Sequence, residues 1–228
     1  MKRILVVQSR TDSKYILREQ ENFRRVIGES ADVTFLSALD ERLAWTTPNE
    51  FLKGYDGVIF GGSSDFDFDG GRLKSDPARL MSLMILSRAR NIITYVFAKD
   101  IPLLGICYGH QLIANMYGGQ VVNDKEQNKF GAFETVLTGE GKRDRLFSVL
   151  PPRFFAQYAH KDSVTVLPLG ATLLAGGERC RFSALRYGKK TYTVQFHPEV
   201  QHFVQGRESH DSPEASKLIP LWIERIVS

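Results

Sequence analysis

The chain has 228 residues, 43% of them hydrophobic and 25% charged, and a net charge of +4 from 30 Lys and Arg against 26 Asp and Glu. These ordinary globular values exclude a disordered, collagenous or coiled-coil chain. The longest apolar runs are four residues, as in Ile4-Leu5-Val6-Val7, far below the about 20 residues of a membrane helix and too short for a secretory signal. Two cysteines, Cys107 and Cys180, cannot build a disulfide framework, so the expectation is a reducing cytoplasm without membrane association. Basic residues form scattered pairs such as Lys2-Arg3, Arg24-Arg25 and Lys189-Lys190 rather than one patch, which argues against a nucleic-acid partner.

In chain order, Arg3 to Gln8 reads as a strand buried in a parallel sheet. Asp12 or Ser13 caps a helix that carries Ile16, Leu17, Phe23, Val26 and Ile27 and stops near Gly28. Val33 to Leu36 and Tyr55 to Phe60 are the next strands, the latter running into Gly61-Gly62-Ser63-Ser64. Pro77 opens a long helix to Ala98, with Leu80, Leu83, Met84, Ile85 and Leu86 mostly on one face. Ile101 to Ile106 is a strand, and a helix from Tyr108 to about Tyr117 ends at Gly118-Gly119. Beyond Gly119 short strands are expected at Gln120–Asn123, Phe133–Leu137, Phe154–Ala159, Val164–Leu167, Thr172–Ala175, Phe182–Tyr187 and Thr191–Phe196. An amphipathic helix follows Pro213, with Pro220 able to split it. The pattern is α/β: an open, mostly parallel sheet with helices on both faces and added antiparallel strands in the C-terminal half. Residues 1–228 are expected to form one domain.

Gly105-Ile106-Cys107-Tyr108-Gly109 has the spacing of a nucleophile elbow. Glycines stand two residues either side because the strand-to-helix turn leaves no space for side chains. A helix N-terminus beside the sulfur favours thiolate. Taken alone, the same residues also fit a buried structural cysteine. Near the other end of the chain, Gln195-Phe196-His197-Pro198-Glu199 puts His197 and Glu199 on one side of a strand. A carboxylate there can orient an imidazole that takes and returns a proton; alone, such a pair also fits a purely structural role. Asp65-Phe66-Asp67-Phe68-Asp69-Gly70 with Asp76 has EF-hand-like spacing, but the loop follows a strand and ends in Asp rather than Glu. A solvated loop anchored by its two phenylalanines, or one that overhangs the site and selects positively charged substrates, are the alternatives. No Gly-rich Lys-Ser/Thr loop for ATP occurs.

The two motifs together, in this order and separation, resemble the class I (triad) glutamine amidotransferase family. Asp56 to Gly62, Gly131 to Val136 and Leu185 to Gly188 match it as well. The resemblance implies a flavodoxin-like sheet of the amidotransferase type and a cysteine-dependent glutaminase that needs no metal and no cofactor. Cys107 would be the nucleophile, His197 the base and then acid, and Glu199 its support. The N–H groups of Gly62 and Tyr108 would form the oxyanion hole, and Gly61, Gln111 and His160 would contact glutamine or a γ-glutamyl compound. The stretch Ala159-His160-Lys161-Asp162-Ser163-Val164 departs from the family's Ser-His-Gly-Asp-x-Val at Ala159 and Lys161. His110 is read as packing and Cys180 as inert. With no room for a synthetase after Val200, three readings stand: a subunit that passes ammonia to a separate synthase, a stand-alone γ-glutamyl hydrolase or peptidase, and a catalytically silent binding module.

Overall fold

A computed structural model describes residues 1–202 and 210–227. Strand β1 (Arg3–Gln8) leads into α1 (Ser13–Ile27), then β2 (Asp32–Ser37), a short α2 (Asn49–Leu52) and β3 (Gly57–Phe60). Helix α3 (Pro77–Ala98), β4 (Leu103–Ile106) and α4 (Tyr108–Met116) complete the first half. The second half holds β5 (Val121–Asn123), β6 (Lys129–Leu137), α5 (Gly139–Arg143), β7 (Arg153–His160), β8 (Asp162–Val164), β9 (Ala171–Gly177), β10 (Cys180–Tyr187) and β11 (Thr191–Val194). Helices α6 (Pro213–Ser216) and α7 (Leu218–Arg225) follow.

Nine strands form one sheet in the order β2-β1-β3-β4-β11-β10-β9-β6-β7. The first five run parallel and the rest pair antiparallel. β5 and β8 make a separate two-stranded ribbon. The period-2 rule divides the core: Ile4, Val6, Ile59, Leu104 and Ile106 face one layer with Phe23 and Ile27 of α1 and Trp222 of α7. Leu5, Val7, Val58, Phe60 and Leu103 face the other, with Ile85, Ile92 and Ile93 of α3 and Leu112 and Ile113 of α4. Helices thus cover both faces, as the near-continuous apolar strands require.

The helix boundaries follow their capping chemistry. Asp12 accepts from the Lys14 amide at 2.8 Å and Gly28 closes α1 at φ +52°. Asp76 accepts from the Ala78 amide at 2.9 Å, and Pro77 sits in the first turn, where its missing N–H costs nothing. Two expectations need correction. Leu80 and Leu83 of α3 are exposed, and the buried stripe is Ser82, Ile85, Leu86, Ala89, Ile92, Ile93 and Val96, because the stripe is fixed by the sheet underneath rather than by the densest apolar run. The strand expected over Val164–Leu167 lies earlier, at Asp162–Val164, and Val166 and Leu167 are exposed. The terminal helix is split at Lys217, with Pro220 in the first turn of α7. Among the described residues no helix is long and apolar enough to cross a membrane.

Candidate active site

The parallel strands β3, β4 and β11 are neighbours, and their C-terminal ends deliver the three chemical segments, at the sheet edge where open α/β folds place their ligands. Cys107 follows β4 directly and stands just before α4, at φ +52°. A left-handed non-glycine residue is strained and persists only where its surroundings enforce it. Here they do. A Cβ on Gly109 would stand 2.3 Å from the Phe60 carbonyl oxygen, and one on Gly105 would stand 2.8 Å from the Gly109 carbonyl oxygen. The Gly109 amide donates to the Gly61 carbonyl at 3.1 Å. The elbow is therefore stitched to the exit of β3.

His197 follows β11, its amide donating to the Gln157 carbonyl of β7 at 2.8 Å. Its Nδ1 lies 2.7 Å from Glu199 Oε1. From the position that a Cβ on Gly62 would occupy, His197 Cε1 is 2.8 Å away and Cys107 Cβ is 3.6 Å away, so sulfur-bearing carbon and imidazole flank one point. Burial works against a charged imidazole, but the charges of Glu199 and Cys107 and hydrogen bonds to both reverse it and hold His197 well above 6.5. The arrangement can keep a proton on the imidazole beside the Cys107 sulfur and release it to a group that accepts one.

The amides of Gly62 and Tyr108 donate to no other group among the described residues; that of Tyr108, in the first turn of α4, has no partner within its helix. The Cys107 Sγ is 3.8 Å from the Ala159 carbonyl. Cys107, Tyr108, Gln111, His160, Lys161 and Asp162 line a cavity of about 430 Å³. Gln111 gives its amide hydrogens to the Asp162 carbonyl at 2.8 Å and to Gln195 Oε1 at 3.3 Å. His160 Nδ1 lies 3.0 Å from the Asp162 carbonyl and 3.2 Å from Ser163 Oγ, and burial pushes it down to about 4. His110 packs at full burial with Nδ1 2.8 Å from Thr193 Oγ1, as its reading as a packing residue requires. Cys180 is buried, and burial pushes its thiol up.

The acidic loop does not converge on a cation. Asp65 accepts from the Thr11 amide and hydroxyl at 2.6 and 2.7 Å, and Asp67 pairs with Arg72 at 2.9 Å. Asp69 pairs with Arg79 at 3.3 Å and accepts from the Asn123 amide at 3.0 Å, while Asp76 caps α3. Among the described residues no cluster of three acidic, His or Cys side chains could hold a metal ion. Phe66 and Phe68 are buried, and Phe68 stacks on Tyr108 with centroids 5.6 Å apart. The loop is thereby anchored against the elbow, and Asp67 reaches the wall of the Cys107 cavity.

Sequence reasoning missed three residues beside this centre. Arg10, just after β1, pairs with Glu19 of α1 at 3.1 Å. Gln8 donates to the other Glu19 oxygen at 2.7 Å. The signal that could have found them was Glu19 itself, a carboxylate four residues before Phe23 on the buried stripe of an otherwise amphipathic helix. A second cavity, of about 630 Å³, opens on this side and is lined by Arg10, Glu19, Ser63, Phe130, His197 and Glu199.

The family described as glutamine amidotransferase class-I matches residues 44–211. The glutamine-hydrolysing GMP synthase subunit of Archaeoglobus fulgidus is 34% identical over 164 residues, 72% of this chain and 76% of that protein. The protein of the same description from Methanothermobacter thermautotrophicus is 39% identical over 122 residues, 53% of this chain and 63% of that protein, so the chain spans less than two thirds of that relative's length. The crystal structure of a glutamine amidotransferase from Thermotoga maritima superposes with a TM-score of 0.61 at 21% identity, covering 98% of this chain and 81% of that one, and shares the fold. Together with the elbow at Cys107 and the paired His197 and Glu199, the match over residues 44–211 means that this chain belongs to the class I glutamine amidotransferases.

Proposed function

We propose that this protein hydrolyses the side-chain amide of glutamine through a γ-glutamyl thioester on Cys107 and releases ammonia for a separate acceptor. One observation carries the reading: Cys107, held at φ +52°, and the imidazole bonded to Glu199 flank the same point beside Gly62. The sulfur attacks the amide carbon, and the carbonyl oxygen gains the negative charge. The free amides of Gly62 and Tyr108 would receive it; each such donor is worth about 3–4 kcal/mol at the transition state. His197 gives its proton to the departing nitrogen, which leaves as ammonia. A water then adds to the thioester, losing a proton to His197, and glutamate leaves as the sulfur is restored. Glu199 holds the ring and balances its charge throughout.

Ammonia release from L-glutamine by the purified protein tests the activity. Turnover that disappears in Cys107→Ala supports the reading, and turnover that survives it rejects the thioester. The relatives named as glutamine-hydrolysing subunits of GMP synthase favour a separate synthase partner. Basal turnover should then rise when the other subunit of a GMP synthase is added. The cavity of about 630 Å³ beside His197 favours a second reading, because ammonia needs far less space: a γ-glutamyl hydrolase whose leaving group occupies it. Faster cleavage of larger γ-glutamyl amides than of glutamine, unaffected by a synthase, would select that reading.

A further inference from the structure

The ion pair between β1 and α1 sits against the reacting centre with unusual intimacy. A Cβ on Gly61 would stand 2.8 Å from Glu19 Oε1, and a Cβ on Gly62 would stand 3.4 Å from Arg10 Nη2 and 2.8 Å from the His197 ring. The two glycines after β3 are thus side-chain-free because Glu19, Arg10 and His197 take that space. Arg10 is clamped from both sides, by Glu19 at 3.1 Å and by Ser64 Oγ at 3.1 Å. Ser64 in turn bonds Asp65 at 2.7 Å, and Asp65 returns to Thr11. The guanidinium therefore bridges the middle of α1, at Glu19, to the loop that carries the Gly62 amide. Its side chain is only 11% exposed, and its charge is coupled to Glu199 and Cys107 as well as to Glu19. Glu19 and Glu199 also feel each other.

We propose that Arg10, fixed by Glu19 and Ser64, is a positioning residue that sets the Gly62 amide over the sulfur and supplies the cation that lets Glu19 and Glu199 lie together beside His197. Two buried carboxylates in one neighbourhood repel unless cations alternate with them. Arg10 and the protonated His197 provide that alternation. The same fixed charge favours the negative charge that develops on sulfur and on the carbonyl oxygen during attack, in a site where little water screens it. Arg10 touches neither substrate nor sulfur in this account. It acts through Gly62, Glu199 and His197.

The proposal rests on the glutaminase reading, so its test has one arm that does not need glutamine. Arg10→Gln, Arg10→Lys and Glu19→Gln are compared with wild type in two measurements. The first is the kcat and KM for glutamine. The second is the pH profile of Cys107 alkylation by iodoacetamide, resolved from Cys180 by mass spectrometry. Arg10→Gln should lower kcat about 10-fold or more, with KM within about 3-fold, the size expected for a lost transition-state charge. The acid limb of alkylation, which reports the coupled sulfur and imidazole, should move to higher pH. Arg10→Lys should recover part of both, and Glu19→Gln should lie between. Unchanged kcat and unchanged alkylation in Arg10→Gln and Arg10→Lys, with only a lower melting temperature, would make Arg10 a structural brace and overturn the proposal. A rise confined to KM would make it a substrate contact and overturn it too. If wild type hydrolyses no glutamine, the glutaminase reading fails, and the alkylation profiles of Arg10→Gln and Arg10→Lys still decide the proposal. If Arg10→Gln does not fold, Arg10→Lys decides by the same two readouts.

Discussion

Three buried histidines stand around this centre, and they differ in one respect. His110, His160 and His197 are 0%, 7% and 6% exposed. Burial drives His110 down to about 3, helped by His160. It drives His160 down to about 4 even though the Asp162 carbonyl bonds its ring. Burial pushes His197 down as well, yet the Glu199 carboxylate and the Cys107 sulfur overcome it and hold this ring well above 6.5. His160 in the cavity wall and His110 in the packing behind it are thus kept neutral, and the imidazole beside the elbow is kept charged. What separates them is a carboxylate 2.7 Å from Nδ1 and a sulfur in reach of the same ring, where the other two have only neutral oxygens. The same side chain is held neutral or charged according to what its ring nitrogens meet.

The sharpest way to break this contrast is to remove its sulfur. Cys107→Ala should abolish turnover, and the His197 titration should move down while those of His110 and His160 stay in place; histidine-selective NMR across pH reads all three. If His197 did not move, the sulfur would not be part of its charge balance. His197→Ala should lose roughly 10²–10⁴-fold in kcat, the usual contribution of a general base. Glu199→Gln comes next. It leaves a hydrogen-bonding shape but takes away the charge, and should turn His197 into a ring of the His110 kind. We expect a loss of about 10–10²-fold in kcat, less than for the base itself, with His197 neutral at pH 7. A Glu199→Gln loss as large as that of Cys107→Ala would mean that the carboxylate does more than hold and charge the ring.

Much of this centre is legible in the sequence because its geometry is local. Gly105 and Gly109 announce the elbow, and in the structure each lacks the space for a Cβ. His197 and Glu199 are two residues apart on a chain leaving the sheet, so their pairing needs no distant information. Asp76-Pro77 fixes the start of α3 by the same local logic. The alternation in Ile4-Leu5-Val6-Val7 divides the two core layers. The parts that stay hidden depend on what arrives from elsewhere. Arg10 and Glu19 are nine positions apart, and nothing local says that Gly61 and Gly62 will leave space for them. Leu80 and Leu83 look like core until the sheet underneath selects the other stripe of α3. Lys129, four residues before the expected strand Phe133–Leu137, carries no local sign of burial. It is buried all the same, with Nζ 4.9 and 4.4 Å from the ring centroids of Phe133 and Tyr158, a cation held by aromatic faces that come from two strands. The carboxylates of the 65–76 loop suggest a cation by spacing alone, and they are taken instead by backbone amides and by Arg72 and Arg79.

The smallest effect concerns stability rather than turnover, and it tests the neutral half of the contrast. A histidine whose folded value lies below its unfolded value binds fewer protons in the folded state, so stability falls as pH drops through 6.5 and the loss continues until the folded value is reached. For His110 and His160 that window runs from 6.5 down to about 3 and about 4 respectively. His197 has the opposite sign: its contribution is fully present below 6.5 and is lost as pH rises through its raised value. Glu19 and Asp162, pushed up mainly by burial, also favour the folded state more as pH falls, so the wild-type slope is a net quantity. The difference between two proteins isolates the histidine. His110→Asn removes the titrating ring and keeps a side-chain amide able to bond the Thr193 hydroxyl in either sense. Its urea-unfolding free energy should be lower at pH 7, by about 1–2 kcal/mol for the smaller side chain, and should decline less between pH 6.5 and 4.5 than that of wild type, where unfolded carboxylates are still largely ionised. Parallel slopes for the two proteins over that interval would mean that His110 takes up its proton as readily in the folded chain as in the unfolded one, and the contrast with His197 would then owe nothing to burial.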